Sequence, residues 1–184
     1  MCIRDRYKQM SYEKNISIIE GNKGLFDGIS LDGGDSNASL AHLLKLEVIL
    51  VIDCVGMTRG VAPLLKGYQE FDKKIKYKGI ILNNIANDRH ENKVINAINE
   101  FTKLKVIGSI HKNKQLTIME KKLGLEPVFQ NPYTKNIIKN ISSVIKKSVD
   151  MKYLINKKTN NKDNKIPKVV LKKHIYSNLR IGVA

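Results

Sequence analysis

Short apolar runs alternate with segments of helical periodicity along the first two thirds of the chain. The runs have the length and the β-branched content of buried strands. Strands are predicted at residues 16–20, Glu47–Asp53, 77–84 and 105–110. The second run is apolar on both faces, as expected for a parallel sheet that is covered by helices on both sides.

The segments between these runs are predicted to be helical. Ser36 is a plausible N-cap for a helix over residues 36–46. Further helices are predicted at residues 58–72, at 89–104 and at 114–124, the last ending at Gly124. The helix over 89–104 is predicted to bury Val94, Ile95, Ile98 and Phe101. This alternation predicts an α/β fold with a doubly wound, mostly parallel sheet.

The pattern changes after Pro132. Residues 134–155 have the apolar periodicity of a long amphipathic helix. Residues 156–165 are polar and low in complexity, which is typical of a linker. The final residues, "LRIGVA", look like the opening strand of a further domain.

The composition is that of a soluble globular protein. The chain has 184 residues, of which 42% are hydrophobic and 27% are charged. No apolar run approaches the roughly 20 residues of a transmembrane helix, and the amino-terminal residues lack the apolar core of a secretory signal. With two cysteines there is no disulfide framework. We therefore predict a cytoplasmic protein with no membrane partner.

The net charge of +16 raises the possibility of a nucleic-acid partner. However, the lysines are scattered among Asn and Ile residues, only 6% of residues are aromatic, and there is no Trp. No RNA-binding aromatic motif is present. A solvated basic surface is the favoured interpretation, and a basic nucleic-acid-binding module remains a less favoured alternative.

Polar residues with chemical potential follow several of the predicted strands. Ligands of parallel α/β sheets bind outside the carboxyl ends of the strands, and Glu20, Asp53 and Asn83 are each predicted at that edge. Glu20 opens a loop, "EGNKGLFDG", that contains Asp27 and several glycines. The loop either forms an ordinary turn or lets the backbone approach a ligand closely. Cys54 is interpreted as a packing residue.

Five segments resemble the cobyrinic acid a,c-diamide synthases in their order and spacing. They are "EGNKGLFDG", "LVIDCVGMTRGVAPLLKGYQEFD", "KGIILNNIANDRHENKVINAI", "VIGSI" and "LGLEP", and the resemblance covers roughly residues 16–127. The resemblance implies a nucleotide-binding domain of the P-loop class, similar to dethiobiotin synthetase. It also implies a reaction in which ATP phosphorylates a carboxylate of a corrin ring. Ammonia from glutamine then displaces the phosphate, and the a and c side chains are amidated in turn.

The resemblance implies roles for particular residues. Glu20 matches a catalytic glutamate linked to Mg²⁺, and Gly21 would leave room for a phosphate. Asp27 matches a catalytic aspartate that handles the substrate or the intermediate. Asp53 resembles an acid on the phosphate or metal side, and Asn83 either reads the adenine edge or forms a turn.

Arg89 and His90 match an Arg-His pair of the family at a helix entry. His90 is not expected to be a catalytic base, because no partner for it is recognisable. Ser36 either contacts substrate or acts only as the helix cap.

The chain departs from the family in lacking a GxxxxGK[ST] phosphate loop. The expected organisation is a non-native leader (1–10), a partial ATP-binding synthetase domain (11–132), an amphipathic helix (133–155), a linker (156–178) and the first strand of a glutaminase domain (179–184). We expect a fold truncated at both ends, with an uncovered sheet edge and apolar surface, that neither hydrolyses ATP nor forms amides by itself.

Two other functions stay open besides the nucleic-acid module and the corrin reaction. The same architecture could amidate a nickel or iron tetrapyrrole. A partitioning or septum-positioning ATPase belongs to the same superfamily, although the "FDG" loop and the "RH" helix entry count against it. A homodimer is compatible with each of them.

Overall fold

The computed structural model describes residues 2–113, 116 and 132–155. They form six helices and three strands. The elements are α1 (Ile3–Ser11), α2 (Asn37–Leu44), β1 (Glu47–Asp53), α3 (Val61–Phe71), β2 (Lys76–Ile85), α4 (Asp88–Phe101), β3 (Val106–His111), α5 (Pro132–Ser148) and α6 (Met151–Ile155). By its internal contacts the chain divides into two units, Met1–Ile19 with Thr159–Ala184, and Glu20–Lys158. All elements except α1 belong to the second unit.

The strands form a parallel sheet in the order β1-β2-β3. Helix α3 connects β1 to β2 and α4 connects β2 to β3, which gives two successive βαβ units. The predicted α/β fold with a mostly parallel sheet is therefore confirmed. The carboxyl ends of the three strands lie at one edge of the sheet, where β1 ends opposite β2 with Asp53 beside Asn83.

The main core fills the space between the sheet and helices α3 and α4. Its completely buried side chains come from these helices, from β2 and from the end of β1. They are Val61, Leu65, Ile80, Leu82, Ile85, Val94, Ile98 and Cys54. A smaller cluster beside it contains Ala38 and Ala41 of α2 together with Ile75. This burial of apolar area is the main source of stability of the sheet.

The strands predicted at Glu47–Asp53, 77–84 and 105–110 are confirmed as β1, β2 and β3, with small shifts at their ends. The strand predicted at residues 16–20 is wrong, because this segment is coil. Its apolar side chains are exposed, including Ile18 at 90% of the maximum. Residues with strand propensity form a strand only where a neighbour completes the hydrogen-bonded ladder, and this segment pairs with no strand of the described residues.

The helices follow their sequence signals closely. Ser36 is the N-cap of α2, and its Oγ accepts a hydrogen bond from the Ser39 backbone N–H at 3.1 Å. In α4 the predicted burial of Val94 and Ile98 is confirmed, whereas Ile95 is only partly buried. The burial predicted for Phe101 is wrong: its ring is 37% exposed, and the Arg59 guanidinium carbon lies 5.2 Å from the ring centroid.

The long helix predicted at residues 134–155 is divided into α5 and α6. Between them, Val149 forms an antiparallel bridge with Gly108 at the outer edge of β3. The Asp150 backbone N–H donates to the Ile107 carbonyl at 2.8 Å. The interruption therefore satisfies backbone groups on β3 that a continuous helix would leave unpaired.

Three predicted segments lie outside the described residues. They are the helix at 114–124, the linker at 156–178 and the strand at 179–184. Within the described ranges, no helix is both long and apolar enough to span a membrane.

One face of β1 carries exposed apolar side chains. The side chains of Leu50 and Ile52 point into the core, but those of Ile49 and Val51 on the opposite face are 39% and 62% exposed. Because β1 is also an outer strand of the sheet formed by the described residues, its edge and its apolar face are exposed together. This agrees with the expected uncovered edge and apolar surface.

Candidate functional site

Asp53 lies at the carboxyl end of β1 in a fixed orientation. Its Oδ1 accepts hydrogen bonds from the Val55 backbone N–H and from Asn84 Nδ2, both at 3.1 Å. Asn84 adopts a left-handed backbone conformation with φ of 59°, which asparagine tolerates better than most residues. Both bonds end on Oδ1, so among the described residues the exposed Asp53 carboxylate keeps Oδ2 for a ligand.

Asn83 lies beside Asp53 on the neighbouring strand. Its backbone carbonyl accepts a hydrogen bond from the Cys54 N–H at 2.9 Å, while its side-chain amide bonds to no other described residue. The amide therefore has a donor and an acceptor available at the carboxyl edge.

Cys54 is completely buried in the main core. Burial raises the pKa of the thiol, which opposes formation of the reactive thiolate. The interpretation of Cys54 as a packing residue is confirmed.

His90 connects the loop after β1 to the start of α4. Its Nδ1 accepts a hydrogen bond from the Ala86 backbone N–H at 3.1 Å. Since Nδ1 is an acceptor, Nε2 carries the ring proton and donates it to the Met57 carbonyl at 2.5 Å. Both ring nitrogens are occupied, so the arrangement supports a positioning role and argues against a catalytic base.

Replacing His90 with alanine is expected to loosen the loop that follows Asp53. The His90→Ala variant loses both bonds, at an expected cost of about 0.5–1.5 kcal/mol for each, because the Ala86 N–H and the Met57 carbonyl can then bond to water. Urea denaturation of the purified chain measures the change. Arg89→Ala, at the adjacent exposed position of α4, is the control and should leave the midpoint unchanged. Equal stability of both variants would contradict the bridging role.

The loop between Glu20 and Ser36 is anchored on α2 and α3. At the start of α2, Asn37 Nδ2 donates to the Lys23 and Gly24 carbonyls at 2.9 and 3.3 Å. Phe26 stacks on Tyr68 near the end of α3, with 5.6 Å between the ring centroids. The loop is thus fixed by specific contacts and is more than a simple turn.

Two glycines of this loop are explained by close approach of carboxylates. A Cβ on Gly24 would lie 2.2 Å from Asp27 Oδ2, and a Cβ on Gly28 would lie 2.4 Å from Asp35 Oδ1. Any larger residue would therefore displace the carboxylate. The glycine spacing lets Asp27 fold back over its own loop.

Asp35 holds the second half of the loop together. Its Oδ2 accepts from the Ile29 backbone N–H at 2.7 Å and its Oδ1 from the Ser30 N–H at 3.2 Å. These bonds, the first of them most strongly, lower the pKa of Asp35 below its ordinary value of 3.8, and the positive charge of Lys23 lowers it further.

The loop is expected to become less stable in acid, because the pKa of Asp35 is lowered in the folded chain. Because the pKa of Asp35 is lower in the folded chain, its contribution to stability is complete above pH 3.8 and is lost as pH falls through the folded-state pKa. Carboxyl chemical shifts in an NMR titration should therefore place the Asp35 midpoint below 3.8. Asp35→Asn should broaden the Ile29 and Ser30 amide signals at neutral pH, and a midpoint at or above 3.8 would contradict the interpretation.

The structure brings together only some of the predicted site residues. Asp53 and Asn83 are neighbours at the carboxyl edge of the sheet. Glu20 and Asp27 are exposed residues of the anchored loop, and no hydrogen bond or ion pair among the described residues joins their carboxylates to Asp53 or Asn83. Gly21 lies against α2, where an added Cβ would be 2.8 Å from Asn37 Nδ2.

Comparison with known proteins gives the family. A protein-family model described as "AAA domain" matches residues 2–120. The chain belongs to the AAA domain family. Membership also confirms the predicted P-loop class of the fold. No solved structure matches the chain significantly.

Several similar proteins share one name, cobyrinate a,c-diamide synthase. The protein of Magnetococcus marinus is 37% identical over 141 residues, which cover 77% of this chain and 30% of that protein. That of Methanococcus vannielii is 39% identical over 127 residues, which cover 68% of this chain and 28% of that protein. That of Picrophilus torridus is 33% identical over an alignment of 189 positions, which covers 100% of this chain and 43% of that protein.

The resemblance to the cobyrinic acid a,c-diamide synthases is therefore confirmed. The chain spans between 28% and 43% of the length of these three relatives.

The carboxyl edge of the sheet offers one oxygen ligand that is free among the described residues. Mg²⁺ prefers oxygen ligands and keeps several waters, and the oriented, exposed carboxylate of Asp53 supplies one such ligand. Sequence reasoning proposed Asp53 and Asn83 as site residues but missed Asn84 and the bridging role of His90. The local signal for Asn84 was the dipeptide Asn83-Asn84, since asparagine tolerates the left-handed backbone that Asn84 adopts.

Proposed function

We propose that this AAA domain is the ATP-binding part of a cobyrinate a,c-diamide synthase. In this proposal it serves the ATP- and glutamine-dependent amidation of the a and c carboxylates of a corrin ring in cobalamin biosynthesis. The observation that carries the proposal is the similarity to proteins of that name over 68% to 100% of the chain. The oriented Asp53 carboxylate and the open Asn83 amide at the carboxyl edge support it.

In this proposal the residues act by holding the reacting groups. Asp53 and Glu20 would hold Mg²⁺, which bridges and neutralises phosphate oxygens during phosphoryl transfer. Asn83 would bind the nucleotide, Gly21 would let the backbone approach a phosphate, and Asp27 would orient the carboxylate substrate. Because Asp27 and an anionic substrate repel each other, we propose that Asp27 acts through a hydrogen bond or a bound cation.

A segment exchange tests the proposal. The segment of the Picrophilus torridus relative that aligns with this chain is replaced by this chain. The chimera is then supplied with cobyrinic acid, ATP, Mg²⁺ and glutamine. We expect mass spectrometry to show the monoamide and then the diamide. A folded chimera that converts other tetrapyrroles but leaves cobyrinic acid unchanged would overturn the corrin assignment.

The isolated chain is proposed to be inactive because it contains no GxxxxGK[ST] sequence to cradle the phosphates. Phosphate release from ATP by the purified chain should equal the background without protein. Robust ATP hydrolysis would refute this part of the proposal. Sequencing the DNA on both sides of the reading frame gives an independent test, with an in-frame phosphate loop expected upstream and a glutaminase downstream.

A further inference from the structure

Three side chains that can bind metals meet where β3 ends beside the first turn of α4. Asp88 and Glu91 are three residues apart on α4 and therefore share a face. His111 is the last residue of β3. His111 Nε2 lies 2.6 Å from Glu91 Oε2 and 3.9 Å from Asp88 Oδ1. One ligand atom from each of the three residues lies within 4.8 Å of the other two.

The cluster adjoins a cavity between α4, β3 and α5. The cavity has a volume of about 650 Å³, and its walls include Glu91, His111, Ser109 and Lys147. Ser109 Oγ is buried and has no hydrogen-bond partner in residues 2–113, 116 and 132–155. Buried hydroxyl groups are seldom unpaired. A ligand bound in the cavity, or a water molecule that it holds, would supply the hydrogen-bond partner of Ser109 Oγ.

The donor set indicates which cation fits. One imidazole nitrogen and two carboxylates suit Zn²⁺ and similar transition metals, whereas Mg²⁺ prefers oxygen ligands alone. Three protein ligands also leave a coordination position for water or an anion. The Asp88 carboxylate is 94% exposed and the Glu91 carboxylate 26%, which gives the ion a path from solvent.

We propose that Asp88, Glu91 and His111 form a binding site for a zinc-type divalent cation. The site lies in this chain alone and shares no residue with the proposed Mg²⁺ ligands. The imidazole nitrogen that binds the cation must carry no proton.

Zinc titration of the untagged chain, freed of metals by chelator dialysis, tests the site. Competition with a chromophoric chelator measures affinity and stoichiometry, with one Zn²⁺ per chain expected. His111→Ala and Glu91→Gln should each weaken binding by at least about tenfold, because even loss of an outer partner of a metal ligand costs that much. A large excess of Mg²⁺ should not displace the zinc.

His42→Ala is the matched control. His42 also pairs with a carboxylate, through Nε2 and Asp72 Oδ2 at 2.7 Å, but no third ligand joins that pair in the described residues. Its removal should leave zinc affinity unchanged. Circular dichroism verifies that each variant is folded. Absence of stoichiometric binding, equal affinity in His111→Ala and His42→Ala, or displacement by Mg²⁺ would overturn the proposal, whatever the outcome of the amidation experiment.

Discussion

Asp53→Asn is expected to lower amidation by the chimera about 10²–10³-fold, the loss typical of removing one preorganised electrostatic group from an active site. The amide has the shape of the carboxylate, and its oxygen can still accept from the Val55 N–H and from Asn84. Only the negative charge is lost. The rate of diamide formation should therefore fall while the melting temperature stays the same.

A second variant tests the orientation of the Asp53 carboxylate, and a third is a control. Asn84→Gly preserves the left-handed backbone but removes the side-chain amide that holds Asp53. It should reduce the rate less than Asp53→Asn does. Glu70→Gln changes an exposed carboxylate on the last turn of α3 and should have no effect. An Asp53→Asn chimera with the full rate would show that this acid has no part in the chemistry.

Gly108→Ala is expected to destabilise the chain by about 1–3 kcal/mol, the usual cost of overpacking. A Cβ at this position would lie 2.7 Å from Val149 Cγ2 and 3.0 Å from the Ser148 carbonyl oxygen. The junction of α5 and α6 would have to move away from β3. Thermal denaturation measures the loss, and faster hydrogen exchange at the Asp150 amide would locate it, since this amide donates to Ile107.

Gly67→Ala is the control, and it is expected to stabilise the chain. Gly67 lies within α3, and beyond the backbone of its own helix and its two chain neighbours an added Cβ would meet nothing within 4 Å. Alanine should stabilise the helix there by about 0.5–1 kcal/mol. If both alanine variants stabilise the chain, the close packing of α5 and α6 on β3 does not exist in solution.

The elements with strong local signals could be predicted from the sequence. The bounds of β1 were predicted correctly because its apolar run begins and ends at charged residues, Glu47 and Asp53. The start of α2 was predicted because Ser36 is a strong capping residue. Such features depend on residues that are close together in the chain.

Features that depend on distant partners could not be predicted in this way. Residues 16–20 have strand propensity but pair with no strand of the described residues. The Asp53–Asn84 and Met57–His90 bonds join residues 31 and 33 positions apart. The division of the last helix at Val149 depends on the exposed backbone of β3. The resemblance to a family gave candidate residues, but it did not show how the loop that carries Glu20 and Asp27 is anchored on α2 and α3.

The two edges of the sheet formed by the described residues differ. At β3 the α5–α6 junction pairs with the backbone at Ile107 and Gly108, while β1 presents an open edge and the exposed side chains of Ile49 and Val51. Polymerisation into fibres requires two open edges per molecule, so that each copy can join one neighbour on either side. A molecule with one open edge can join a single neighbour, and the pair then has none left. Edge-to-edge association through the sheet of the described residues should therefore stop at pairs.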